Sequence, residues 1–228
     1  WKNVGLKQSE HIGMIAVDPR NSDIVFVAAQ GPLWSDGGDR GLYRTTDGGK
    51  TWKNVLALDE FTGVNEVHID PSDPDIMYAS AWQRARKVWT FLGGGPGSAI
   101  YKSTDGGKTW NKSQKGIPGG DLGKIGMDIS PANPNVIYAV VEATGEKGGL
   151  FKSENKGASW KKMNSITTSS NYYQEIVCDP QDENKLFIMN TYPKYSEDGG
   201  KTIKNMGQRY MHVDHHTIWI NPNDTRHM

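Results

Sequence analysis

Aromatic side chains beside arginines, and carboxylates beside histidines, are the residues of this 228-residue chain whose types suit ligand chemistry. The segment from Trp82 to Ser98 carries Trp82, Arg84, Arg86, Lys87, Trp89 and Phe91 ahead of Gly93-Gly94-Gly95-Pro96-Gly97. Indole faces stack on sugar rings, and a guanidinium fork pairs with carboxylates or anchors a protein contact. The bland alternative is a loop that covers the rim of the fold, with its tryptophans as local core. Trp34, in Gly31-Pro32-Leu33-Trp34, is a second and more isolated aromatic of this kind. Toward the other end, His212, Asp214 and His216 alternate, so an extended strand would put them on one face and His215 on the other. Two histidines and a carboxylate together suit a transition metal or an acid–base pair. The structural alternative is a hydrogen-bonded network, because Ile218 and Ile220 continue the same face. These three are weak metal candidates, no metal is assigned, and no cofactor is expected.

A repeat positions these residues. Thr45-Thr46-Asp47-Gly48-Gly49-Lys50-Thr51-Trp52 returns as Ser103-Thr104-Asp105-Gly106-Gly107-Lys108-Thr109-Trp110. It is eroded in Ser153-Glu154-Asn155-Lys156-Gly157-Ala158-Ser159-Trp160 and in Ser196-Glu197-Asp198-Gly199-Gly200-Lys201-Thr202-Ile203. Self-similarity at roughly 40–60 residues is the mark of a repeat architecture. Asp47, Asp105, Asn155 and Asp198 read as structural: a short polar side chain accepts turn N–H groups while glycines take positive φ. Calcium would need several oxygen ligands, and this turn offers one carboxylate and a lysine.

Before each such turn stands an apolar stretch closed by a proline turn, as in Ile15-Ala16-Val17-Asp18-Pro19 and Val67-His68-Ile69-Asp70-Pro71. A second strand follows, then a loop of variable length, a third strand, the repeated turn, and a fourth strand opening with tryptophan. Four short antiparallel strands with tight turns describe a propeller blade. The expected fold class is therefore all-β: a β-propeller segment of about four four-stranded antiparallel blades, part of a larger propeller. Residues 1–4 read as the last strand of a preceding blade. Blades follow over 5–55, 56–113, 114–163 and 164–206, and 207–228 starts the next, so the chain reads as a fragment.

In a meander the connections alternate between two ends. The repeated turns and proline turns then share one end, while second-to-third-strand loops and blade entrances share the other, where irregular loops collect binding residues. Ligand contacts are accordingly expected from Trp82, Arg84, Arg86, Trp89, Tyr172, Tyr173 and His215. Glu66, Glu175 and Asp214, near the starts of first strands, are candidate catalytic carboxylates, since glycoside hydrolysis needs a carboxyl pair.

Composition narrows the partners. Lys plus Arg and Asp plus Glu are 26 each, so no net field recruits nucleic acid or an acidic membrane. No run of about 18 apolar residues is present to span a bilayer. Cys178 is the only cysteine, which excludes an internal disulfide framework, and its apolar neighbours suggest a buried, inert thiol.

The repeated turn is identified as an Asp-box, Ser/Thr-x-Asp-x-Gly-x-Thr/Ser-Trp/Phe, also named the BNR repeat; the third copy has Asn155 for Asp and the fourth Ile203 for the aromatic. The chain resembles Asp-box propellers as a class: sialidases, endo-xyloglucanases and the propeller of sortilin-type receptors. Through Trp82–Trp89, Tyr172-Tyr173-Gln174-Glu175 and His212–His216 it is similar to large exported bacterial proteins described as sortilin-like or glycosyl-hydrolase-like. The resemblance implies a secreted, periplasmic or cell-envelope protein. It also implies a binding or scaffold module engaging a glycan or polypeptide through the long-loop face, with the remaining blades as further partners. The alternative is a sialidase- or xyloglucanase-like glycoside hydrolase using carboxylates at the channel mouth. The Arg-Ile-Pro segment of sialidases does not occur here.

Overall fold

In the computed structural model, which describes residues 1–207 and 211–228, short apolar runs between tight turns pair into four antiparallel sheets of four strands. The first sheet is β1 (Ile12–Val17), β2 (Val25–Gln30), β3 (Arg40–Thr45) and β4 (Lys53–Leu56), in that order. The second comprises β5 (Thr62–Ile69), β6 (Met77–Gln83), β9 (Ala99–Ser103) and β10 (Asn111–Lys112). Between β6 and β9 lies a separate hairpin, β7 (Ala85–Lys87) and β8 (Thr90–Leu92). The third sheet is β11 (Leu122–Ile129), β12 (Ile137–Ala143), β13 (Gly149–Ser153) and β14 (Lys161–Asn164). The fourth is β15 (Ile176–Cys178), β16 (Leu186–Ile188), β17 (Lys194–Ser196) and β18 (Lys204–Asn205). Among the described residues no helix is long and apolar enough to cross a membrane.

The chain divides into two compact units, 1–113 with 120–124 and 114–119 with 125–228. In the first, Phe26, Ala28 and Leu42 of one sheet pack against Val64, Val67, Met77, Ala79 and Tyr101 of the next. Each large side chain buried this way contributes roughly 1.5–3 kcal/mol, and this burial joins the two sheets. In the second unit, Val136, Tyr138, Val140 and Leu150 meet Ile176, Cys178, Leu186 and Ile188. The far side of that last sheet carries Phe187 and Met189, which pack with Ile218 and Ile220. Central strands read as continuous buried runs because both their faces are covered. The outer face of β1 is different: Ile15 and Val17 are exposed.

Two bulges mark blade entrances. The pairing of β1 with β2 shifts between Ile12 and Met14, and that of β5 with β6 between Val64 and Glu66, so Gly13 and Asn65 are the extra residues. A bulge re-aims the side chains next to it.

Three features depart from the expected elements. The Trp82–Ser98 segment, expected to be an irregular loop, contains the β7–β8 hairpin. No strand forms over the described part of 207–228: Asp214 sits at φ 76°, which breaks an extended run, and residues 214 and 215 donate to the Thr191 and Asn190 carbonyls instead. Trp1–Val4 lies outside any strand, with the Val4 carbonyl accepting from Trp52 Nε1 at 3.0 Å. Of the tryptophans that close the repeated turns, Trp160 is buried, while Trp52 and Trp110 are half-buried.

Candidate functional site

At one end of each sheet the repeated turn is satisfied by its own side chains. Asp47 Oδ1 accepts from the Thr45 hydroxyl at 2.7 Å and from Lys50 N and Thr51 N, while Oδ2 accepts from the Thr51 hydroxyl at 2.6 Å. Asp105 and Asp198 repeat the pattern. Hydrogen bonding stabilises the ionised form: the Thr109 hydroxyl leads in holding Asp105 well below the usual carboxylate range, and the Thr202 N–H leads in lowering Asp198 to about 2. Asn155 keeps the geometry with one bond reversed, its Nδ2 donating to Ser159 Oγ at 2.9 Å where an aspartate would accept. Each turn is also fastened to the proline turn of its own sheet, through Gly48 N to Asp23 O, Gly106 N to Asp75 O, Lys156 N to Asn135 O and Gly199 N to Asn184 O. These groups are committed to one another, which leaves little for a ligand.

The opposite end of the first unit is chemically richer. Arg86 N donates to Leu33 O at 2.9 Å and Lys87 Nζ lies 3.6 Å from Asp36 Oδ1, so the β7–β8 hairpin is bound to the 31–39 loop. Above that joint the Arg86 guanidinium lies 5.6 Å from the ring centre of Trp34 and 5.8 Å from that of Phe91. Trp34 is 59% exposed and Trp89, at the hairpin tip, 82%. Trp82 does not join them. It is 3% exposed, its Nε1 donates to Gly93 O at 2.8 Å, and Arg84 and Lys124 stack on its ring. Sequence alone placed Trp82 and Trp89 in one class; pairing of Trp82 with Gly63 in the sheet separates them. Glu66 is buried, in contact with Asn65 Nδ2 and His68 Nε2 at 3.3 Å each.

In the second unit the Tyr173 hydroxyl donates to Asp214 Oδ1, a contact that raises the phenol's pKa, and the Tyr173 ring lies 4.9 Å from that of His216. Gln174, at φ 135°, and Asp214 both hold backbone conformations unusual for residues with a Cβ. Such outliers collect at ligand sites because surrounding structure must enforce them. Tyr172 is exposed beside Tyr173, their ring centres 6.3 Å apart, and Glu175 is half-buried. His215 Nε2 is sealed from solvent with no hydrogen-bond partner among the described residues. The metal candidates His212, Asp214 and His216 do not gather: His212 Nδ1 lies 2.7 Å from Val213 O, and no group of three possible ligands occurs among the described residues. Tyr210, at the start of the same segment, lies outside the described residues.

The family described as Sortilin-Vps10 (sortilin, neurotensin receptor 3) matches residues 98–227, and the BNR/Asp-box repeat matches 43–54. Among curated proteins, a xyloglucanase of Hypocrea jecorina is 28% identical over 195 residues, covering 81% of this chain and 21% of that protein. Xyloglucanase Xgh74A of Acetivibrio thermocellus is 29% identical over 143 residues, covering 58% and 16%. The chain thus spans about a fifth or less of the length of these relatives. Among solved structures, an ancestral GH74 enzyme matches with a TM-score of 0.63 at 18% identity, covering 94% of this chain and 28% of that one. YCF48 from Cyanidioschyzon merolae matches with a TM-score of 0.53 at 17% identity, covering 90% and 59%. These likenesses establish the fold as a β-propeller segment built of Asp-box blades.

Proposed function

The chain belongs to the Sortilin-Vps10 family, and from that premise we propose that it is part of a glycoside-hydrolase-like propeller whose long-loop end binds a glycan of the xyloglucan type. One arrangement carries the reading. The Arg86 guanidinium contacts both the exposed ring of Trp34 and the half-buried ring of Phe91, with Trp89 exposed on the same hairpin. The indoles of Trp34 and Trp89, left open to water, gain little from the core, and such aromatic faces match the C–H faces of sugar rings. The relatives named xyloglucanase supply the substrate class. Carbohydrate polymers of that kind lie outside cells, and an exported protein fits that setting.

For hydrolysis the whole protein needs two carboxyl groups flanking the scissile bond. Asp214 is the strongest candidate in this chain, held by the Tyr173 hydroxyl in an enforced backbone conformation. Glu175 is a neighbour on the same entrance, and Glu66 is already engaged with His68. The test is calorimetry and reducing-sugar release with xyloglucan oligosaccharides on the full chain. Trp34→Ala and Trp89→Ala should each weaken binding roughly tenfold. Asp214→Asn should remove turnover and keep binding. Binding without turnover by the unaltered protein would leave a binding module and remove the hydrolase; absence of binding to any glycan would overturn both.

A further inference from the structure

Asp214 is gripped through both its backbone and its side chain by two other segments of the second unit. Its N–H donates to Thr191 O at 3.1 Å and the N–H of His215 to Asn190 O at 3.2 Å, bonds that keep Asp214 at φ 76°. Its Oδ1 accepts from the Tyr173 hydroxyl. Asp214 raises the phenol's pKa, while the Thr191 side chain, hydrogen-bonded to the same phenol, lowers it, which marks Thr191 as the donor. A phenol carries one hydrogen, and with Thr191 donating to its oxygen that hydrogen goes to Asp214. Thr191, Tyr173 and Asp214 thus form a directed chain that closes on itself through the Thr191 carbonyl.

Tyr173 is itself fixed. It is 6% exposed, its N–H donates to Ser169 O at 3.0 Å, and its ring lies 4.9 Å from that of His216. Asp214, by contrast, is exposed, and the open ring of Tyr172 lies beside Tyr173. Glu66 lacks that access, being buried against Asn65 and His68. Water could satisfy an exposed carboxylate as well as a phenol does, so the bond adds little to stability. What it adds is direction: one oxygen is filled and the other is aimed.

We propose that Tyr173 and Thr191 are positioning residues, which fix the Asp214 carboxyl with Oδ1 filled and Oδ2 presented to the substrate. The inference rests on the hydrolase reading above, in which Asp214 is a catalytic carboxylate, and it assigns the side chains that aim it. A reacting group displaced by roughly an ångström loses about a hundredfold in rate, so support of this kind is felt in turnover before it is felt in binding.

The experiment measures kcat and KM for a xyloglucan oligosaccharide on the full chain, with the melting temperature beside them. Tyr173→Phe keeps the buried ring and removes the hydroxyl. Its kcat should fall roughly ten- to a hundredfold, with KM changed less than about twofold and the melting temperature held. Thr191→Val keeps the carbonyl that holds Asp214 N and loses the donor, so kcat should fall again, and Thr191→Ser should recover most of it. A crystal structure of Tyr173→Phe should show the Asp214 carboxyl turned from its present direction with φ still positive. Unchanged kcat in Tyr173→Phe, with Asp214→Asn inactive, overturns the positioning role and leaves the hydrolase reading standing. So does a fall in melting temperature with kcat preserved, which assigns the hydroxyl to the fold alone. Should Tyr173→Phe not fold, the Thr191 pair decides: Thr191→Ser no better than Thr191→Val overturns the proposal. Full turnover in Asp214→Asn removes Asp214 from catalysis and the proposal with it, and no turnover in the unaltered protein removes the hydrolase reading as well.

Discussion

Asp47, Asp105 and Asp198 each accept several hydrogen bonds that only the ionised carboxylate receives together. Their pKa values are depressed in the folded chain, with Asp198 at about 2 against an ordinary 3.8. A depressed carboxylate contributes stability that is complete above its unfolded value and is lost as pH falls through the folded one. Melting temperature should therefore decline between about pH 4 and pH 2. The Asn155 turn contributes nothing to that decline, so Asp198→Asn should flatten the pH profile and Asn155→Asp should steepen it. Thermal denaturation across that range checks both. This chemistry was legible in the sequence because every bond in the turn spans at most four residues. The conformation of Asp214 was not, because long-range bonds from residues 214 and 215 to Thr191 and Asn190 enforce it.

Strands and their order followed from alternation and turn chemistry, whereas the β7–β8 hairpin did not. Its three-residue strands lie in a segment whose glycine run signals a loop, and its anchors, Leu33 and Asp36, are some 50 residues away. Once folded, the hairpin divides the segment's two tryptophans between core and surface. Trp82→Ala should lower stability by roughly 3–5 kcal/mol in urea unfolding, while Trp89→Ala should leave stability unchanged. Comparable unfolding curves for the two variants would show that Trp82 is not core. At the box end, Gly107 sits at φ 75°, and a Cβ there would meet Phe26 Cε1 at 2.4 Å. Gly107→Ala should cost roughly 1–3 kcal/mol through strained backbone and displaced ring, in the same assay.

The two units share one plan: two sheets, face to face, with the apolar residues of each covering the other. Where that covering stops, on the outer face of β1, Ile12, Ile15 and Val17 stand exposed beside Val4 and Trp52. The near-continuous apolar run Ile12–Val17 is that of a strand covered on both sides, and the reading of residues 1–4 as the end of a preceding blade already implies a further sheet against this face. The 228-residue chain on its own should self-associate through this face. Sedimentation should show mass rising with concentration, and Ile15→Lys with Val17→Lys should return it to a monomer. A monomer at every concentration in the unaltered chain would mean that the face is covered or too small to drive association.

Among the described residues, every repeated turn fastens through a backbone bond to the proline turn of its own sheet, as Gly48 does to Asp23 and Gly199 to Asn184. Neighbouring sheets are joined at the other end, by Arg86 N to Leu33 O and Gly95 N to Leu122 O, so at the turn end each stretch of about fifty residues fastens itself. Genes built this way can gain or lose whole stretches by unequal recombination, since a crossover within any turn restores the same fastening on both sides. The slow decay from Asp47 to Asn155, with one donor and one acceptor exchanged and the turn intact, is what divergence between such copies looks like at the level of a single hydrogen bond.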